Sequence, residues 1–281
     1  MIPTTTLGII GYPISHSISP IFQQAAIDYI GSKDTYKAYE VHPDDLGDFI
    51  QGFREQGMKG LNVTVPHKSA VMEYLDEIDE WALGAGAVNT IVRKGNIIKG
   101  YNTDGYGFIQ GLYSNTSANI GDSQILILGA GGSAKAVLLS LMDIGPKGMC
   151  IANRSYRNAE LLRDSCNNNR SDIHVIAIED SLFVSYVQNA DVIVNCTTIG
   201  MKNTDGILPF TYKDIHSDTI LYDLVYNPLR TLMLREGEKA NSTLIGGIDM
   251  LVHQGAKSFE LWFEMEAPTD VMLKSAKSVI L

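Results

Sequence analysis

Gln124-Ile125-Leu126-Ile127-Leu128-Gly129-Ala130-Gly131-Gly132-Ser133-Ala134 is the stretch that decides the fold. Its apolar first half runs straight into glycine, as a buried strand does when it ends in a tight turn. Beyond the turn, Ala134, Val137, Leu138 and Leu141 recur on one helical face. The glycine segment therefore reads as G-x-G-x-x-A between a strand and a helix. Gly129 permits the turn, Gly131 lets the backbone approach a pyrophosphate, and Ala134 lets the helix lie against the strand. Ala130, Gly132 and Ser133 complete the loop, where free N–H groups of the helix start can face phosphate oxygens. A bare tight turn needs the glycines but neither flanking element, so dinucleotide binding is the preferred reading.

About 20 residues farther on, a fold of this kind holds the cofactor ribose, with Asp or Glu when the cofactor is NAD. Here the strand at 149–152 ends in Asn153-Arg154-Ser155, with Arg157 close by. A carboxylate would repel a 2′-phosphate, whereas a guanidinium binds one through paired, charge-assisted hydrogen bonds. The sequence therefore favours NADP over NAD.

The same alternation extends along the chain. Candidate strands lie at 7–11, 36–41, 60–65, 88–92 and 97–100 before the glycine segment, and at 148–152, 173–176, 191–195, 219–223 and 243–245 after it. Helical patterns lie between them, one with Ile21, Phe22, Ala25, Ala26 and Tyr29 on a face, another with Leu46, Phe49, Ile50 and Phe53. Strands alternating with helices imply parallel sheets joined by crossover helices, an α/β class. The polar run at 114–123 reads as a surface connection. Two domains are expected: an N-terminal α/β substrate domain at 1–104 and a Rossmann-type, doubly wound dinucleotide-binding domain at 105–238. The final helix, 248–263, carries Leu251, Phe259 and Trp262, and residues 239–281 are expected to complete the first domain.

A chain of 281 residues with 45% hydrophobic residues can bury a core in each of two domains. Its formal net charge of -10 disfavours nucleic acid and anionic membrane as partners, leaving a small molecule. No apolar run reaches the ~18 residues that would span a bilayer. Residues 1–6 carry no basic group, so no secretion leader is expected. Cys150, Cys166 and Cys196 are not spaced for zinc or redox chemistry and fit a reduced, cytoplasmic protein. His16, His67 and His253 have no metal-ligand spacing, and no metal is expected. A monomer or homodimer is the expected state.

Four further segments form a pattern. They are Gly11-Tyr12-Pro13-Ile14-Ser15-His16-Ser17-Ile18-Ser19-Pro20, Asn62-Val63-Thr64-Val65-Pro66-His67-Lys68, Gly86-Ala87-Val88-Asn89-Thr90 and Asn102-Thr103-Asp104-Gly105. With the glycine loop, Asn153-Arg154-Ser155 and Asp249-Met250-Leu251-Val252-His253-Gln254-Gly255-Ala256, they resemble the shikimate dehydrogenase family over nearly the whole chain. The resemblance implies reversible NADP-linked reduction of 3-dehydroshikimate to shikimate, in aromatic amino-acid biosynthesis. It implies Lys68 and Asp104 as catalytic residues, and Ser17, Ser19 and Tyr226 at the substrate carboxylate. It places Asn62, Thr64, Asn89, Asp104 and Gln254 at the ring hydroxyls, and adds Thr197, Met201 and Gly247 to the cofactor set.

The chemistry of these residues is consistent with that. Reducing a ketone requires a hydride and a proton for the developing alkoxide, and the Lys68 ammonium can donate that proton or stabilise the alkoxide. A carboxylate such as Asp104 would hold the ammonium in place. Only the resemblance brings these two together; alone, Lys68 also reads as a solvated lysine at a helix start. Ser19-Pro20 reads equally as an N-cap followed by proline in the first turn, which is also where a carboxylate prefers to sit. Asn62 and Thr64 are ordinary turn formers at a strand end, and Tyr226 reads equally as a packed aromatic.

The chain departs from the family pattern at Asn158, where a basic residue is usual, with Arg157 one place earlier. Tyr12 and His67 are also unusual, and nothing in the sequence explains them. Two rivals stay open: a quinate/shikimate dehydrogenase that also uses NAD, and a non-catalytic nucleotide-sensing protein. The second would be expected to have lost Lys68 or Asp104, and both are present.

Overall fold

The computed structural model describes residues 7–166, 173–201 and 207–280, so the N-terminal residues 1–6 lie outside it. The chain divides into two compact units. One takes the described residues through Gly107 together with Val252–Val279, and the other takes Phe108–Leu251.

The first unit contains β1 (Leu7–Gly11), α1 (Ser19–Tyr29), β2 (Tyr36–Glu40), α2 (Leu46–Gln56), β3 (Gly60–Val63), α3 (His67–Ala70), β4 (Glu77–Ile78), α4 (Glu80–Ala85), β5 (Thr90–Lys94) and β6 (Ile97–Tyr101). Its sheet has the order β2-β1-β3-β5-β6-β4. The expectation of parallel pairing fails here, because β5 runs antiparallel to both β3 and β6. Gly95-Asn96 joins β5 to β6, and two residues can close a hairpin but cannot make a crossover. Gly95 takes the positive φ, 63°, that such a turn demands. Under this sheet α2 buries Leu46, Ile50 and Phe53 against Ile10, Leu61 and Ile91.

The second unit begins within α5 (Asp104–Asn115). It continues through β7 (Gln124–Leu128), α6 (Gly132–Ile144), β8 (Gly148–Asn153), α7 (Tyr156–Cys166), β9 (Ile173–Ala177), α8 (Phe183–Asn189), β10 (Val192–Asn195), β11 (Ile220–Asp223), α9 (Leu232–Ala240) and β12 (Thr243–Gly246). The sheet order is β12-β11-β10-β7-β8-β9 with every pairing parallel. The chain starts at β7, winds out to β9, then returns to β10 and winds the other way, which is the doubly wound arrangement with its switch point between β7 and β10. Strand β7 is apolar on both faces for this reason. Ile125 and Ile127 enter one core with α6, whereas Leu126 and Leu128 enter the other with α8.

Two helices close the chain, α10 (Gly247–Phe263) and α11 (Thr269–Lys277). From Val252 onward α10 belongs to the first unit. There it buries Phe259 and Trp262, and Trp262 Nε1 donates to Ile91 O at 3.0 Å. Helix 248–263 is therefore not the final one: α11 follows and packs on α1. The buried face of α1 is also rotated from the expected one. Phe22, Gln23, Ala26 and Ile27 are buried, while Ile21 and Tyr29 face outward. The polar Gln23 joins that face because its Nε2 donates to Gly255 O at 2.9 Å. Nor is Ser19 the N-cap of α1: it is the first helical residue, and Ile18 in the cap position makes no side-chain bond. Ser17 Oγ instead accepts from Ser19 N at 3.3 Å, so the hydroxyl that serves this helix start lies two residues earlier.

Candidate active site

After β3 the Thr64-Val65-Pro66 segment leads into the single turn of α3, whose first residues are His67 and Lys68. His67 points inward, its Nε2 2.8 Å from Val41 O, and anchors the turn to the sheet. Lys68 points the other way. Its Nζ donates to Asp104 Oδ2 at 2.6 Å, with both side chains partly shielded from solvent. Asp104 is the first residue of α5, and its backbone N donates to Asn102 Oδ1. Its second oxygen, Oδ1, accepts from Asn89 Nδ2 at 2.9 Å. The carboxylate thus faces an ammonium on one side and an amide on the other, which fixes its plane.

Asn89 is buried and is itself held. Its Oδ1 accepts from Thr103 N at 2.9 Å and from Thr90 Oγ1 at 3.0 Å. Its Nδ2 also faces Thr103 Oγ1 at 2.9 Å and Gln254 Oε1 at 3.1 Å. Because Thr103 N can only donate and Asp104 only accept, the amide has one consistent orientation. Asn62, on β3, lies deeper in the same network. Its Oδ1 accepts from Tyr36 OH at 2.7 Å, and its Nδ2 faces Asn89 O, Thr90 Oγ1 and Ser258 Oγ. The structure thus gathers Asn62, Lys68, Asn89, Asp104 and Gln254 into one polar cluster.

Thr64 is half-buried beyond β3, and its backbone N donates to Ile10 O. Ser17 is half-buried on the loop between β1 and α1, whereas Ser19 is buried. Tyr226 belongs to the second unit, after β11, where burial raises its phenol pKa above the usual value. Sequence reading missed Thr90, Thr103, Ser258 and Tyr36. Thr90 and Thr103 sit inside the recognised motifs beside more conspicuous neighbours, and Ser258 lies one helical turn after Gln254 on the same face.

In the second unit, β7 is followed by Gly129, whose φ of 105° only glycine adopts readily. Gly131 precedes α6 in an extended conformation without a side-chain cap. A Cβ placed on Gly131 or Gly132 would meet nothing within 4 Å, so the space over the helix start is open. A cleft of about 330 Å³ there is lined by Ala130, Gly131, Gly132, Lys135 and Asn158, among others. Lys135 adds a cation that the sequence reading passed over. Arg154 and Arg157 are exposed past β8. Arg157 lies 3.6 Å from Glu160, while Arg154 has no ion pair among the described residues. Asn153 Nδ2 donates to Ser155 O, and Ser155 Oγ accepts from Asn158 N at the start of α7. Open backbone donors beside Lys135 and Arg154 fit a pyrophosphate with an additional phosphate. Thr197 Oγ1 donates to Asn195 Oδ1 and accepts from Ile199 N, bracing the loop after β10 on which Met201 is exposed.

Among the described residues no group of three or more His, Cys, Asp or Glu side chains is placed to hold a metal ion. No helix among them is long and apolar enough to cross a membrane.

Three family models match the chain: the shikimate dehydrogenase substrate binding domain at residues 9–91, shikimate / quinate 5-dehydrogenase at 112–202, and the shikimate 5′-dehydrogenase C-terminal domain at 247–277. The chain is 41% identical over 271 residues to the shikimate dehydrogenase (NADP(+)) of Methanopyrus kandleri, covering 96% of this chain and 93% of that one. This chain belongs to the shikimate dehydrogenase family. The family member of the same description from Bacillus cereus is 40% identical over 255 residues, 91% of either chain. A crystal structure of a shikimate dehydrogenase in complex with NADP+ superposes with a TM-score of 0.91 at 37% identity, over 98% of this chain and 95% of that one.

Proposed function

We propose that this chain catalyses the reversible NADP-linked reduction of 3-dehydroshikimate to shikimate. The observation that carries the reading is the Lys68–Asp104 pair, 2.6 Å apart and locked from behind by Asn89, in a member of this family. When bound, NADPH supplies the hydride for the ketone carbon. Lys68, as an ammonium, gives a proton to the oxygen on which negative charge develops, and takes it back when shikimate is oxidised. Asp104 keeps the ammonium in place and has an oxygen edge to offer a ring hydroxyl, as do Asn89, Thr64 and Gln254. Asn62 supports this set from beneath. The Ser17 and Ser19 hydroxyls serve the substrate carboxylate at the start of α1. In the second unit the N–H groups opening α6 serve the pyrophosphate, and Arg154 serves the 2′-phosphate. Three free thiols and an acidic charge fit a reducing compartment such as the cytoplasm.

The experiment that tests this is absorbance at 340 nm with shikimate or quinate against NADP or NAD. Shikimate with NADP is expected to give the highest kcat/KM; folded protein inactive with all four pairs would end the dehydrogenase reading. Arg154→Ala, run in the same assay, is expected to weaken NADP by about 1–2 kcal/mol and leave NAD nearly unchanged, because an exposed charged hydrogen bond is screened. Equal weakening of both cofactors would make Arg154 structural and remove the main support for NADP preference.

Ser17→Ala tests the carboxylate site. It is expected to raise KM for shikimate by about 1–3 kcal/mol, the usual range for a hydrogen bond to a charged group. Its unfolding temperature should hardly move, since Ser17 Oγ serves a single long bond at 3.3 Å. A less stable protein with unchanged KM would assign Ser17 to the helix start alone.

A further inference from the structure

We propose that Ser258 is a positioning residue for the Lys68–Asp104 pair, an inference that rests on the function proposed above. Ser258 is fully buried on α10 and one turn beyond Gln254. Its Oγ accepts from Asn62 Nδ2 at 3.0 Å, lies 2.7 Å from Thr90 Oγ1, and is within 3.1 Å of Gln254 O. A hydroxyl can donate once and accept twice. Ser258 uses this capacity to join two strands of the sheet, β3 through Asn62 and β5 through Thr90, to the helix that carries Gln254.

The route from Ser258 to the pair is short and continuous. Thr90 Oγ1 lies 3.0 Å from Asn89 Oδ1, and Asn89 Nδ2 donates to Asp104 Oδ1 at 2.9 Å. Asp104 Oδ2 then accepts from Lys68 Nζ. Asn89 Nδ2 also faces Gln254 Oε1, so the height of α10 over the sheet decides how the Asn89 hydrogens are shared between Gln254 and Asp104. Ser258 sets that height from below. An ordinary helical serine gives its single hydrogen to the carbonyl four residues earlier, here Gln254 O; the 2.7 Å contact lets Ser258 donate instead to Thr90 Oγ1, whose own hydrogen then goes to Asn89 Oδ1. Here Asn62 and Thr90 are both buried, so neither finds water if Ser258 is lost.

Two variants test this, Ser258→Ala and Thr90→Val, the second matching the shape of threonine without its hydroxyl. Each is expected to lower kcat for shikimate oxidation about tenfold, within the usual range for a residue coupled through a hydrogen-bond network, while KM for NADP, which depends on the second unit, stays within twofold of wild type. The double variant is expected to be no slower than the slower single one, because both cut the same route. If Ser258 only packs α10, Ser258→Ala lowers the unfolding temperature with kcat within twofold, and the inference is overturned. Should Ser258→Ala fail to fold, Thr90→Val decides alone, and normal kcat in it is equally fatal. Strictly additive losses in kcat would also overturn the shared route. A wild type inactive with shikimate and NADP ends the functional reading itself, whereas an active wild type beside unaffected variants ends only the inference.

Discussion

Lys68→Ala is expected to lower kcat by about 10²–10⁴-fold, the usual contribution of a general acid–base group, with KM for shikimate and NADP changing far less. The reason for the split is geometric. Asp104 keeps its bond from Asn89 Nδ2, and Asn89 keeps its bonds from Thr103 and Thr90 when the lysine is removed. On the proposed mechanism the surface for ring hydroxyls therefore survives, while the proton needed at the oxygen has no donor. Lys68 makes its side-chain bond to Asp104, and α3 is anchored by His67 rather than by it, so the fold is expected to be unchanged. Steady-state kinetics in both directions, with circular dichroism to confirm folding, is the measurement. A Lys68→Ala variant within tenfold of wild-type kcat would take Lys68 out of the chemistry and leave the pair a structural ion pair.

Gly247→Ala is expected to lower stability by about 3 kcal/mol, at the upper end of the usual range for overpacking. A Cβ on Gly247 would lie 2.2 Å from Leu224 O, 2.5 Å from Leu224 C and 2.8 Å from Val225 C. These are backbone atoms, and they are tethered: Leu224 N donates to Asn195 O, and Val225 N to Asp223 Oδ1. Nothing there can swing aside as a flexible side chain would. For a protein of this size the shift corresponds to roughly 6–12 °C in the unfolding midpoint. Differential scanning calorimetry checks it. The family resemblance attaches Gly247 to the cofactor, and the two roles separate cleanly. An unchanged midpoint with a raised KM for NADP would mean that the glycine is there for the nucleotide and not for packing.

The sequence made the second unit's sheet legible because its signals are local. A strand, a glycine turn and a helix lie within some twenty residues of one another, and each carries its own period. In the first unit, β4 was missed because two residues, Glu77–Ile78, cannot display alternation. The antiparallel β5 was misread although its signal was present: Gly95-Asn96 is a hairpin turn, but the rhythm of strand and helix elsewhere outweighed it. α1 was rotated because Gln23 counts as polar by type, and only its bond to Gly255 makes it a core residue. In the site, Lys68 and Asp104 came together through family resemblance alone. Asn62 gave no sign of its depth, since its partners Tyr36 and Ser258 sit far off in the chain and bury it only once folded.

That distance also has a meaning in time. Asn62 and Ser258 are 196 residues apart, and Phe108–Leu251 of the second unit is synthesised between them. At the usual ~5–20 residues per second, the ribosome delivers Ser258 roughly 10–40 s after Asn62. Once β12 has been made, every strand of the second unit's sheet is in hand, while Asn62 and Thr90 still lack the Ser258 hydroxyl. The second unit, although it starts later, thus has its full set of strands before Asn62 and Thr90 of the first unit have the partner that joins them to α10.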